Sequence, residues 1–114
     1  MKTIREIVLD AQNRVHDTTL LPDEAVELLK TLSSVYGNVL DEIQTTELKY
    51  NHILLAELDK EKTASKAKIK AEVSQEYQDF LKAKNTEKLL IKLLSSLKTF
   101  IRSKEQEFKA GLNL

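Results

Sequence analysis

The chain has 114 residues, 41% hydrophobic and 5% aromatic, with no cysteine, two glycines, one proline and a formal net charge of zero. That length bounds it to one domain or less, the missing cysteine excludes disulfide and thiolate chemistry, and so few chain breakers among Lys, Glu, Leu and Ala make it helical. The neutrality conceals a segregation: residues 1 to 59 hold 5 Lys/Arg against 11 Asp/Glu and residues 60 to 114 hold 13 against 7, a balance of −6 and then +6.

Thr3 followed by Glu6 has capping-box spacing, and Ile4, Ile7, Val8, Ala11 and Val15 recur at helical intervals, which predicts a short first helix from about Ile4 to His16. A connector leads to Pro22, whose fixed φ suits a first helical position, with Asp23, Glu24 and Glu27 placed to favour the positive end of the helix dipole. In the helix that starts there, Leu29, Leu32, Tyr36, Val39, Ile43, Thr46, Tyr50 and Ile53 follow alternating steps of three and four residues, a coiled-coil-like seam widened by Leu28, Leu40, Leu54 and Leu58. The register continues through Ala64, Ala67 and Ala71, so an unbroken helix from Asp23 to Ala71 is expected, with Gly37 tolerated in phase. Glu72, Val73 and Ser74 make the next break, with Ser74 as a cap. A third helix runs to about Lys109, and Gly111 occupies the place of a left-handed C-terminal cap.

The expected fold is all-α: a short N-terminal helix and connector over 1–21, a long acidic-to-basic helix over 22–73 and a basic amphipathic helix over 74–114. The last two form a long antiparallel hairpin that oligomerises through its seam. The first ten residues lack the layout of a secretion signal and no apolar run reaches the roughly 20 residues of a membrane span, so a soluble cytoplasmic chain with no membrane association is expected.

No catalytic constellation is present. His16 and His52 lie 36 residues apart without metal-binding spacing, Gly37 and Gly111 lie too far apart for a phosphate loop, and the pairs Asp41-Glu42 and Glu105 with Glu107 read as solvated helix surface. The expectation is a non-enzymatic protein with no cofactor and no metal.

The third helix carries the chemistry. Lys84, Lys88, Lys92, Lys98, Arg102 and Lys109 fall, at about 100° per residue, in an arc about 120° wide, while Leu90, Leu93, Leu94, Leu97, Phe100, Ile101 and Phe108 occupy the other side. Such a cationic stripe suits a nucleic-acid backbone, and Tyr77 and Phe80 project into the same arc, offering rings on which unpaired bases stack. Lys62, Lys66 and Lys70 make a second i, i+4 row that a turn near Ser74 brings toward the same end. Two other readings compete: a solvated outer face with Tyr77 and Phe80 packed across the turn, and a basic amphipathic helix for a membrane surface or partner groove. The second meets a complementary apolar stripe in the same chain, which favours burial over export.

The run Lys60-Glu61-Lys62-Thr63-Ala64-Ser65-Lys66-Ala67-Lys68-Ile69-Lys70, followed by the amphipathic helix from Leu89 to Phe108, resembles the layout of small helical accessory proteins of tailed phages, among them the UvsY-type recombination mediators. The resemblance spans about residues 25 to 109 and rests on layout and composition. It implies an oligomer that binds single-stranded DNA and helps load a recombinase onto strands coated by single-strand binding protein, with DNA contact carried by Lys62, Lys66, Lys70, Lys84 and Lys88. The adaptor reading, a coiled coil whose charge asymmetry orients subunits, stands beside it.

Overall fold

The structure, a computed structural model, describes residues 1–17 and 19–112. It contains four helices, α1 (Ile4–Val15), α2 (Pro22–Lys60), α3 (Ala64–Glu72) and α4 (Gln75–Leu112), and no strand among the described residues. The long helices α2 and α4 pack against each other as a helical hairpin. Two compact units are distinguished, one of Met1–Gly37 with Lys88–Leu114 and one of Asn38–Glu87.

The first unit is built on large aliphatic side chains. At the start of α1 the Glu6 backbone N–H donates to Thr3 Oγ1 at 3.1 Å, the capping bond that the spacing predicts. The connector is tied by Asp17, whose Oδ1 accepts from the Thr19 backbone N–H at 2.9 Å and its hydroxyl at 2.7 Å. Those bonds favour the ionised form, and the Asp17 carboxyl is held below its ordinary pKa. Arg14 pairs with both Asp17 and Glu24, joining the end of α1 to the acidic first turn of α2. Val8 and Ala11 of α1, Leu20, Ala25 and Leu32, and Leu90, Leu93 and Leu97 of α4 are buried together as this unit's core.

The second unit buries smaller residues: Val39, Tyr50, Ala67, Ala71, Ala83 and Thr86. Alanine at three of the six positions lets backbones approach closely but contributes few methylenes, so here each large side chain matters more. Tyr50 is the largest of them. Its ring centroid lies 4.8 Å from that of Tyr77 and 6.0 Å from that of Phe80. The buried Thr86 hydroxyl donates back to the Lys82 carbonyl at 2.9 Å, which satisfies it without leaving the helix.

Three expectations require correction. The helix expected to run unbroken to Ala71 ends at Lys60. Thr63 adopts an extended conformation and its side-chain oxygen accepts from the Lys66 backbone N–H at 3.2 Å, starting α3 afresh. The new direction buries Ala67 and Ala71 completely, and Glu61 pairs with Lys70 across the break. The second correction concerns Gly111, which is helical and has no positive φ, since α4 extends to Leu112. The third is Phe108, expected on the packing face of α4 and instead 68% exposed. Ser74 does cap α4: its hydroxyl donates to the Ala71 carbonyl at 2.6 Å and accepts from the Tyr77 backbone N–H at 3.2 Å.

Gly37 sits inside α2 with helical φ, and a Cβ built there meets nothing within 4 Å. Gly37→Ala is therefore expected to stabilise the protein by about 0.5–1 kcal/mol, by reducing the conformational freedom of the unfolded chain. Urea unfolding followed by circular dichroism checks it: the midpoint rises while the slope stays unchanged.

Candidate nucleic-acid interface

In the Asn38–Glu87 unit the residues assigned to nucleic-acid contact are partly engaged elsewhere. Tyr77 and Phe80, proposed as stacking surfaces, are half-buried against Tyr50, and the Lys84 Nζ stands 5.0 Å from the Phe80 ring centroid. The contact of Lys84 with Phe80 is a cation–π arrangement internal to the chain. Lys70 is paired with Glu61, whose hydrogen bond and charge raise the Lys70 pKa. Lys62 precedes the Thr63 cap while Lys66 and Lys70 lie on α3, so the expected row of three lysines on one helix is not formed. Lys62 and Lys66 remain exposed, with no ion pair to a described residue.

Burial raises the Tyr50 hydroxyl above its ordinary pKa, with the nearby charge of Glu72 and Tyr77 adding to the shift. A folded pKa above the unfolded value near 10 makes a stabilising contribution that is complete below about pH 10 and lost as pH rises through the folded value. Stability is expected to fall on going above about pH 10, and Tyr50→Phe to flatten that part of the curve. Denaturant unfolding of both proteins across that range is the measurement; parallel curves would remove Tyr50 from the account.

The Met1–Gly37 with Lys88–Leu114 unit presents a different arrangement. Lys88, Lys92, Lys98 and Arg102 are exposed on α4, on the side away from buried Leu90, Leu93 and Leu97, and none has an ion pair with a described residue. Residues 88–102 contain no acid at all. Helical spacing alone produces this: positions 88, 92, 98 and 102 share an arc that the apolar steps at 90, 93 and 97 leave open.

Beside those cations lies an open cleft of about 420 Å³ lined by Tyr36, Ile91, Leu94, Ser95, Lys98, Thr99 and Arg102. It joins one ring, two cations and two hydroxyls within a single unit. Tyr36 is half-buried and has no aromatic neighbour among the described residues, unlike Tyr77 and Phe80. Sequence spacing placed Tyr36 in the seam with Leu32 and Val39. The detectable signal was its hydroxyl, a polar tip that a dry seam accommodates poorly and that favours a position at the seam's edge.

The remaining seam residues pack within the chain. Leu32, Val39 and Tyr50 are buried, and Leu29, Ile43 and Ile53 are half-buried. Among the described residues no group of three or more His, Cys, Asp or Glu is placed to hold a metal ion, and no helix is long and apolar enough to cross a membrane. What the fold and the cleft define is an all-α hairpin with a cationic, partly aromatic surface. No protein-family profile, curated protein or solved structure matches the chain.

Proposed function

We propose that the protein is a non-enzymatic accessory factor that binds single-stranded nucleic acid through α4, with Lys88, Lys92, Lys98 and Arg102 neutralising the phosphate backbone and Tyr36 receiving a base. The observation that carries this reading is the cleft in which Tyr36 lies beside Lys98 and Arg102, with Ser95 and Thr99 supplying hydroxyls. Phosphate contact needs unpaired cations, and these have no carboxylate partner among the described residues. Base stacking needs an uncommitted ring, because the gain comes from covering both ring and base from water. The most concrete form, implied by the resemblance to phage recombination mediators, is assistance in loading a recombinase onto strands coated by single-strand binding protein.

The test is binding of labelled single-stranded DNA across a salt titration. Four phosphate contacts give a slope of about −2.8 in log affinity against log salt, from roughly 0.7 counterions released per contact. No binding at about 50 mM salt, where the electrostatic contribution is largest, rejects the reading. A second reading, a coiled-coil adaptor, is favoured by one observation: Leu40, Leu48, Leu55 and Leu58 stand 42%, 54%, 60% and 40% exposed on α2.

A further inference from the structure

The exposed leucines of α2 are not scattered. At about 100° per residue, positions 40, 48, 55 and 58 fall within an arc of about 80°, turned away from the arc of Val39, Ile43, Tyr50 and Ile53 that packs inside the hairpin. Asp41, Glu47 and Asp59 border that arc, all exposed and none with an ion pair to a described residue. The single lysine of this stretch, Lys49, lies on another side of the helix. Residues 41–59 hold five acids and one cation in all, and three of the acids, with no cation, border the apolar ridge, all in the Asn38–Glu87 unit.

The chain also carries the complement of this surface. On α4, Lys88, Ile91, Ser95, Lys98 and Arg102 follow steps of three and four residues; Ile91 is 48% exposed and Ser95 is small enough for a partner helix to approach. Residues 88–102 hold four cations and no acid, against a net −4 over 41–59. The ridge on α2 is about five turns long and that on α4 about four.

We propose that the outer face of α2 is a docking surface for a second copy of this chain, which sets its basic α4 face, Lys88, Ile91 and Lys92, against Leu48, Leu55 and the acids Asp41, Glu47 and Asp59. The two faces are different surfaces of the same chain, so the contact is heterologous and each added copy leaves a free face of each kind. The leucines supply the area removed from water, and the charges select this pairing over α2 against α2, which sets acid against acid. Lys88 and Lys92 are also assigned to phosphate, so a second copy and a nucleic-acid strand compete for that end of the stripe; the inference does not rest on nucleic-acid binding and is tested without nucleic acid.

The experiment is sedimentation equilibrium of the full chain at about 50 mM and about 500 mM salt, conditions between which exposed charge pairs become largely screened. Species larger than a monomer are expected at the lower salt, with dissociation at the higher. Two variants sharpen the result: Asp41→Lys/Glu47→Lys/Asp59→Lys and Lys88→Glu/Lys92→Glu, all at exposed positions, with Lys98 and Arg102 left in place. Each alone is expected to self-associate about a hundred-fold more weakly than wild type, and an equimolar mixture of the two to associate again, since the mixed faces are complementary. A monomer at low salt overturns the proposal. So does an assembly indifferent to salt and to both variants, which indicates a leucine-to-leucine dimer, and so does a mixture no more associated than its components. Should either variant lose helicity, Leu48→Ala/Leu55→Ala replaces it, with weakened association expected and unchanged association counting against the proposal.

Discussion

Leu97→Ala is expected to destabilise the protein by about 2–5 kcal/mol, while Leu55→Ala stays within about 0.5 kcal/mol of wild type. Leu97 is wholly buried in α4 and Leu55 is 60% exposed in α2. Both leucines sit inside long helices and the substitution favours helix slightly in each case, so helix propensity does not separate them. Cavity formation does. Truncation at Leu97 removes buried methylenes and leaves a void beside Val15, Leu20 and Phe100, whereas at Leu55 water fills the space. For a chain of this size the larger loss is a substantial fraction of a total near 5–15 kcal/mol. Urea unfolding at low protein concentration, where any association is weakest, measures both. Equal losses would mean that Leu55 is buried in solution by a partner, which is the outcome that association through α2 produces at high concentration.

That contrast also shows what was legible in the sequence. The steps of three and four residues that mark Leu29, Leu32, Tyr36 and Val39 predict a packed face, and Leu32 and Val39 are fully covered. Pro22, Thr3 and Ser74 act locally, through a preset φ or a hydroxyl within three residues of its donor, so the starts of α1, α2 and α4 follow from their neighbourhoods. The break at residues 61–63 was not legible in the same way. The lysine-alanine run forms helix equally well in either direction, and the break is settled by tertiary burial of Ala67 and Ala71 and by the Glu61–Lys70 pair. Thr63 was the only local sign, and a threonine within such a run is a weak one.

The candidate site divides along the same line. Charge periodicity placed Lys88, Lys92, Lys98 and Arg102 on an outward arc, because exposed position follows directly from the apolar face opposite. The choice of aromatic residue needed the fold. Tyr77 and Phe80 share the cationic arc on a helical wheel, yet near the start of α4 their rings meet Tyr50, a residue far away in sequence on α2. Tyr36 reaches the cleft for the converse reason: it lies at the edge of a seam whose centre is Leu32 and Val39, where a ring is covered only in part.

The sharpest consequence is a pair of variants that weaken nucleic-acid binding in different ways. Lys98→Glu/Arg102→Glu removes two backbone contacts, so the log-affinity against log-salt slope for single-stranded DNA is expected to flatten by about 1.4 units, and the two new carboxylates repel the phosphates that remain. The affinity loss is therefore greatest at low salt and shrinks as salt rises. Tyr36→Ala is expected to cost about 1–3 kcal/mol at every salt concentration with the slope preserved, because stacking releases few ions. Tyr77→Ala serves as the control: its ring is committed to Tyr50, so it lowers the unfolding midpoint and leaves affinity for single-stranded DNA unchanged. Fluorescence anisotropy with a labelled oligonucleotide at several salt concentrations distinguishes all three. If Tyr77→Ala weakens binding and Tyr36→Ala does not, the stacking surface lies at the Tyr50 cluster and the cleft beside Lys98 and Arg102 is not the place where a base is held.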